Sequence, residues 1–263
     1  AYQLLFIFLA TGTDATIALI GGADITANFR PGTMAISIGM LLSALAMTWH
    51  LVHFHYVKFN KESMYEVSKK IILLCIPLLL SAQFIAGILN EALDLTDTNQ
   101  ELFISMSHNI FGVLSIAIVV PILEEVLFRG AIEGYLLRKG WSPKWAILVS
   151  ALIFGIIHGN PAQIPFAFLI GLLFGWLYYR TGSLVPGIVG HIINNSFGAW
   201  TMFTATREEL SQTTMETLGT TITYILLVLA IIVFIGMYLY LNKYLPKPTN
   251  IQVKAINEQD ITI

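Results

Sequence analysis

Charge is what this chain has least of. Asp, Glu, Lys and Arg make up 11% of its 263 residues, against about 25% in an ordinary soluble domain. Hydrophobic residues make up 56% and the mean hydropathy is +0.74. That composition excludes an ordinary soluble domain and reads as a polytopic membrane protein. Cysteine is nearly absent too. The lone Cys75, inside an apolar run, excludes an intramolecular disulfide and a cysteine-based zinc site, and reads as a small buried hydrophobe. No His-Glu-x-x-His occurs, so the usual zincin signal is missing. A net charge of -2, with the basic residues dispersed in short clusters, gives no basis for nucleic-acid binding. Tyr2 to Ile20 lacks the basic flank of a cleavable signal and reads as a spanning segment. Internal repeats, low-complexity tracts and a second domain are also missing.

What is there is a series of apolar runs. A bilayer core takes about 20 apolar residues per helix. Segments 2–20, 33–55, 69–90, about 105–137, 143–159, 163–179, 184–203 and 219–241 meet or approach this. The expected fold is therefore all-α: a polytopic transmembrane bundle of about eight helices, as one domain over 1–245, with a polar tail at 246–263. The two short segments form a hairpin about Gly159-Asn160-Pro161-Ala162. Gly21-Gly22, Arg30-Pro31-Gly32, Gly140 and Thr181-Gly182 mark other boundaries. Ser142-Pro143 is a helix start, with Ser at the N-cap and Pro first in the helix.

Orientation follows from the basic residues. An inside N-terminus puts Lys58, Lys61, Lys69, Lys70, Arg138, Lys139, Lys144, Arg180, Lys243, Lys247 and Lys254 in the cytoplasm. Only Arg30 and Arg207 then lie outside, and the outer loop 91–101 carries Glu91, Asp94, Asp97 and Glu101 with no base. Both termini, including the tail, are expected in the cytoplasm.

Against this apolar background one stretch is out of place: Pro121-Ile122-Leu123-Glu124-Glu125-Val126-Leu127-Phe128-Arg129. A charge at mid-bilayer costs about 2.5–3.5 kcal/mol on insertion scales, and ionisable residues kept there are functional candidates. Two further patterns fall on the later helices, Phe154-x-x-x-His158 and His191-x-x-x-Asn195. Positions four apart share a helix face, so Arg129 lies above Glu125, and His191 and Asn195 project together. Glu124 is turned about 100° from Glu125 and faces something else. An ionised Glu, a neutral His and an Asn amide from three helices can activate a water or polarise a carbonyl. The plainer readings are an interhelical hydrogen bond for each histidine and a structural ion pair for Glu125 with Arg129. Two acids, a base, two histidines and an Asn are too many costly groups for packing alone. Glu124 lies 14 residues before Arg138, or about 21 Å along a straight helix, so the cluster reads as the wall of a wet intramembrane cavity.

Glu124-Glu125-x-x-x-Arg129-Gly130, Phe154-x-x-x-His158, Arg180-Thr181-Gly182-Ser183-Leu184 and His191-x-x-x-Asn195-Ser196 resemble the CAAX protease and bacteriocin-processing family (CPBP, or Abi). Its eukaryotic relative is the type II CAAX prenyl endopeptidase. The resemblance covers about residues 118–200, with a family-like core at about 105–203, and no motif position is substituted. It implies an intramembrane endopeptidase acting on a peptide or membrane-tethered protein in a bacterial cell membrane. By that resemblance Glu124 is the general base, His158 acts with it on water, His191 and Asn195 stabilise the oxyanion, and Glu125 and Arg129 support them. The chemistry permits a metal-free glutamate mechanism. It equally permits zinc or another divalent metal on Glu124, His158 and His191. Prenylated CAAX substrates are the eukaryotic case, and bacteriocin-like or signalling peptides and self-immunity the bacterial one. Two other classes stay open: a non-proteolytic scaffold or bacteriocin-immunity factor, and an ion-coupled transporter, for which no inverted halves are visible.

Smaller features read mostly as structure. His50, His53 and His55 with Trp49 and Tyr56 suit an interfacial belt rather than a second metal site. Gly171-x-x-x-Gly175 suits close helix packing. Asn194 points away from Asn195, and Asp14 is a candidate for the cavity wall.

Overall fold

A computed structural model describes residues 2–20, 32–57 and 67–245. The tail 246–263, the Gly21-Gly22 and Arg30-Pro31 boundaries, and Lys58, Lys61, Lys247 and Lys254 lie outside the described residues. Among the described residues there are eleven helices: α1 (Tyr2–Ile20), α2 (Thr33–His53), α3 (Lys69–Glu91), α4 (Gln100–Ser107), α5 (Ile110–Arg138), α6 (Pro143–Ile157), α7 (Ile164–Thr181), α8 (Val185–Thr204), α9 (Arg207–Ser211), α10 (Thr214–Leu218) and α11 (Thr220–Tyr244). No strand occurs among the described residues.

The eight expected apolar segments all fold as helices, and the protein is a multi-pass membrane protein. Among the described residues, five helices are long and apolar enough to span on their own: α2, α3, α5, α7 and α11. The expected all-α bundle is there, and two of the remaining segments differ from a full span in length or polarity. Helix α6 has only 15 residues, and α8 carries His191, Asn194 and Asn195. The continuous segment at about 105–137 is broken. Asn109 caps α5, accepting from the Gly112 N–H at 2.7 Å, and an added Cβ on Gly112 would lie 2.1 Å from the Met106 carbonyl. Only glycine lets α4 and α5 meet this closely. Ser142 does sit at the N-cap of α6 with Pro143 first in the helix, but its side chain makes no cap bond.

Helix α5 is the centre of the bundle, packed by α2, α4, α6, α7 and α8. It contains two π-helical stretches, Ser115–Val119 and Val126–Glu133, on either side of the turn that carries the two glutamates. Leu78, Leu79, Ile170, Phe174 and Leu177 form a core shared by α3 and α7, closed by Leu241 of α11. Helix α11 otherwise exposes Ile222, Ile225, Val228, Leu229 and Ile232, the surface expected of a span facing acyl chains.

Candidate active site

The central turn of α5 places Glu124 and Glu125 side by side, and α8 runs across them. Glu125 is fully buried. Its Oε1 accepts from Arg129 Nη1 at 3.0 Å and from His191 Nδ1 at 3.2 Å. Glu125 Oε2 points at α8, where an added Cβ on Gly187 would meet it at 2.6 Å; glycine there is what admits the carboxylate. The other ring nitrogen, His191 Nε2, lies 3.4 Å from Glu124 Oε2. Both glutamates therefore reach one histidine, which corrects the separation in which Glu125 belongs to Arg129 alone. The pattern assigns the protons. Glu125 Oε1 already accepts from a guanidinium, so His191 Nδ1 is the donor to it. Nε2 then faces Glu124 Oε2 across the 3.4 Å gap.

Arg129, also fully buried, is held by more than its acid. Nη2 donates to the Gly171 carbonyl at 3.1 Å, and the guanidinium carbon sits 4.5 Å from the Phe154 ring centre and 5.4 Å from that of Phe174. Such desolvated cation–π contacts are worth about 2 kcal/mol. The Gly171-x-x-x-Gly175 pair of α7 thus does more than bring helices together. Gly171 presents its carbonyl to Arg129, and an added Cβ on Gly175 would fall 2.7 Å from Glu133 Oε2.

His158 caps the C-terminal end of α6. Its Nδ1 donates to the Phe154 carbonyl at 2.7 Å, leaving Nε2 as the lone-pair nitrogen. Asn195 Nδ2 donates to the Ile116 carbonyl at 2.9 Å. That carbonyl needs a donor for a reason visible in the chain. It lies in a π stretch, where the bond runs from five residues on, and the residue five on is Pro121, which has no N–H. One N–H of the Asn195 amide remains. Asn194 does not point away: its Nδ2 donates to Asn195 Oδ1 at 3.0 Å.

Glu124, His158, His191, Asn194 and Asn195 line one cavity of about 590 Å³, together with apolar side chains such as Met40, Leu102, Phe103 and Phe166. The Glu124 side chain is 19% exposed into it, against 1% for Glu125. The lining runs from Met47 and Leu127, near the middle of α2 and α5, to Ile36, Asn99 and Leu102 beside the acidic 91–101 loop. Among the described residues no three His, Cys, Asp or Glu side chains converge closely enough to hold a metal. The trio Glu124, His158 and His191 shares the cavity without forming a metal cage.

Other expectations resolve as structure. Asp14 is not in the cavity lining; its Oδ2 accepts from the Gly32 N–H at 2.6 Å. Trp49 stacks on His53 at 4.8 Å and His50 on Tyr56 at 5.9 Å, which makes an aromatic cluster. Arg180 donates to the Asn242 and Leu245 carbonyls at 2.9 Å each and so caps α11. Three residues outside the motifs matter to the site. Glu133 is a third fully buried acid, with neither oxygen hydrogen-bonded to protein. Its place four residues beyond Arg129 was its signal. Gly187 and Asn99 carried no signal in the sequence.

Residues 106–197 match the family model described as Type II CAAX prenyl endopeptidase Rce1-like. The chain is 38% identical over 81 residues to "Putative membrane peptidase YdiL" of Bacillus subtilis, covering 31% of this chain and 33% of that protein. It is 33% identical over 106 residues to "Membrane-embedded CAAX protease MroQ" of Staphylococcus aureus, covering 38% and 42%. To "UPF0177 protein YxdF" of Lactococcus lactis it is 28% identical over 122 residues, covering 46% and 63%. The chain therefore spans less than two thirds of the length of each of these relatives. No solved structure matches it. The match to the Type II CAAX prenyl endopeptidase Rce1-like family thus takes in every residue of the site motifs, Glu124, Glu125, Arg129, His158, His191 and Asn195.

Proposed function

We propose that this protein is an intramembrane endopeptidase that hydrolyses a peptide bond in a peptide or membrane-tethered protein. The observation that carries the reading is the meeting of Glu124, His158 and His191 in one cavity inside a membrane-spanning bundle. A proton on His191 Nε2 leaves Glu124 as a carboxylate. Glu124 then takes a proton from a water that His158 Nε2 orients, and the water oxygen adds to the scissile carbonyl carbon. The oxyanion that forms lies within the reach of His191 Nε2–H and the remaining Asn195 N–H, donors fixed before the substrate arrives. Collapse breaks the C–N bond, and the proton held by Glu124 passes to the leaving amine. Glu125 and Arg129 take no proton. Glu125 orients the His191 ring, and Arg129 holds Glu125.

No three donors converge among the described residues, so this reading runs no step through a metal, and on it cleavage should persist in a strong chelator. The Lys and Arg distribution supports both termini in the cytoplasm, and the three bacterial relatives support a bacterial cell membrane. The test uses the full chain reconstituted in vesicles with two quenched fluorogenic probes, one ending in a farnesylated CAAX sequence and one an unprenylated apolar peptide. Glu124→Ala and His158→Ala should each lower cleavage by at least about 10²-fold, the lower range for a general acid–base group. A parent that cleaves neither probe, or variants that cleave as fast as the parent, would overturn the reading.

A further inference from the structure

Asn160 is fully buried although it lies in the link between α6 and α7. Its side chain is bound to a segment more than sixty residues away. Asn160 Oδ1 accepts from the Thr98 backbone N–H at 3.1 Å and from Thr98 Oγ1 at 3.4 Å. Asn160 Nδ2 donates to Asp97 Oδ1 at 2.8 Å, and the same oxygen accepts from the Asn99 N–H at 2.8 Å. The Asn160 carbonyl accepts from Gln163 and Ile164 at 2.9 and 3.1 Å, which starts α7. One residue separates Asn160 from His158: Gly159, at φ +62°, a conformation that glycine adopts without strain.

His158 stands where a helix end would otherwise fray. Its ring is held on one side by the Phe154 carbonyl. On the other side its backbone is held through the Gly159 turn by Asn160. Asp97, Thr98 and Asn160 are not part of the cavity lining, whereas His158 and Asn99 are. The latch can therefore influence chemistry through those two neighbours, and through Gln163, a lining residue whose N–H the Asn160 carbonyl holds.

We propose that Asn160 is a positioning residue for His158, fastened by Asp97 and Thr98 so that the His158 ring keeps its place in the cavity wall. This rests on the endopeptidase reading, in which His158 acts on the attacking water. A misplacement of about 1 Å at such a group costs about 10²-fold in rate. Asn160→Ala should lower kcat by about that factor and leave KM within about twofold, because the apolar walls are untouched. Asn160→Asp sets a carboxylate against Asp97 and should do the same. Adding Asp97→Asn restores a donor–acceptor pair, with Thr98 still donating to residue 160, and should recover most of the rate.

The experiment measures kcat and KM for the two fluorogenic probes in vesicles, well below each variant's unfolding temperature. It also follows hydrogen exchange over residues 155–164, which should accelerate in Asn160→Ala and slow again in the double variant. If Asn160→Ala does not fold, Asp97→Ala removes the Nδ2 acceptor from a partly exposed loop position and should show the same kcat loss and faster exchange. A parent inert to both probes removes the functional reading and the catalytic consequence with it. An active parent whose Asn160 and Asp97 variants keep full kcat, or keep slow exchange over 155–164, overturns the positioning role alone.

Discussion

Glu125 Oε1 accepts from Arg129 on its own helix and from His191 on α8, so one oxygen joins the buried ion pair to the chemistry. Taking away one member of such a pair leaves an uncompensated charge and costs about 3–5 kcal/mol, whereas replacing both with apolar groups is often neutral. Arg129→Met should therefore lower the unfolding temperature sharply in detergent. Glu125→Leu with Arg129→Met should recover much of that stability while cleavage stays lost, because His191 Nδ1 then has no acceptor. A double variant as unstable as the single one would show that the uncompensated charge is not the cause. At this scale the motif spacing made Glu125 with Arg129 legible, since four residues bring the pair together whether the turn is α or π. The second bond of Glu125 was not legible. It depends on Gly187 letting α8 come close, a tertiary fact with no local signature.

Among elements, α5 shows where a 3.6-residue reading falls short. Its two π stretches shift the faces before and after the glutamates, and nothing local announced them except Pro121. That proline explains the Asn195 bond to the Ile116 carbonyl only once the π register is known. The break between α4 and α5 was in principle readable from Asn109 as a cap and Gly112 three residues on. Helices α9 and α10 were missed as elements, yet each opens with a capping box, Thr206 with Glu209 and Thr213 with Glu216. Backbone hydrogen bonds from Thr206 and Thr213 favour the charged forms and hold Glu209 and Glu216 below the ordinary value of 4.5. Their contribution is complete above that value and is lost as pH falls through the depressed ones. Hydrogen exchange over 206–218, corrected for its intrinsic pH dependence, should accelerate as the pH falls below 4.5 while 143–157 stays protected. Exchange unchanged in 206–218 at that pH would show that the boxes do not hold these helices.

For the whole molecule, the order of the long apolar helices came from the apolar runs, and the depth of the site came only from the structure. The cavity wall ends beside the loop of Glu91, Asp94, Asp97 and Glu101, not at the Lys and Arg end. Contacts at that end tie the same loop down: Glu91 accepts from Thr214 N and Oγ1 at 3.0 and 2.6 Å, and Glu101 pairs with Arg207. If the basic ends face the cytoplasm, the cavity reaches toward the outer leaflet, and Glu101 and Lys144 lie on opposite sides of the membrane. Both are exposed, and the native Cys75 is only 1% exposed, so background labelling is low. A membrane-impermeant maleimide on intact cells should modify Glu101→Cys at once and Lys144→Cys only after permeabilisation. The reverse pattern would invert the chain. The charge rule would then have failed, and substrate would reach Glu124 from the cytoplasmic side through the same wall of Ile36, Asn99 and Leu102.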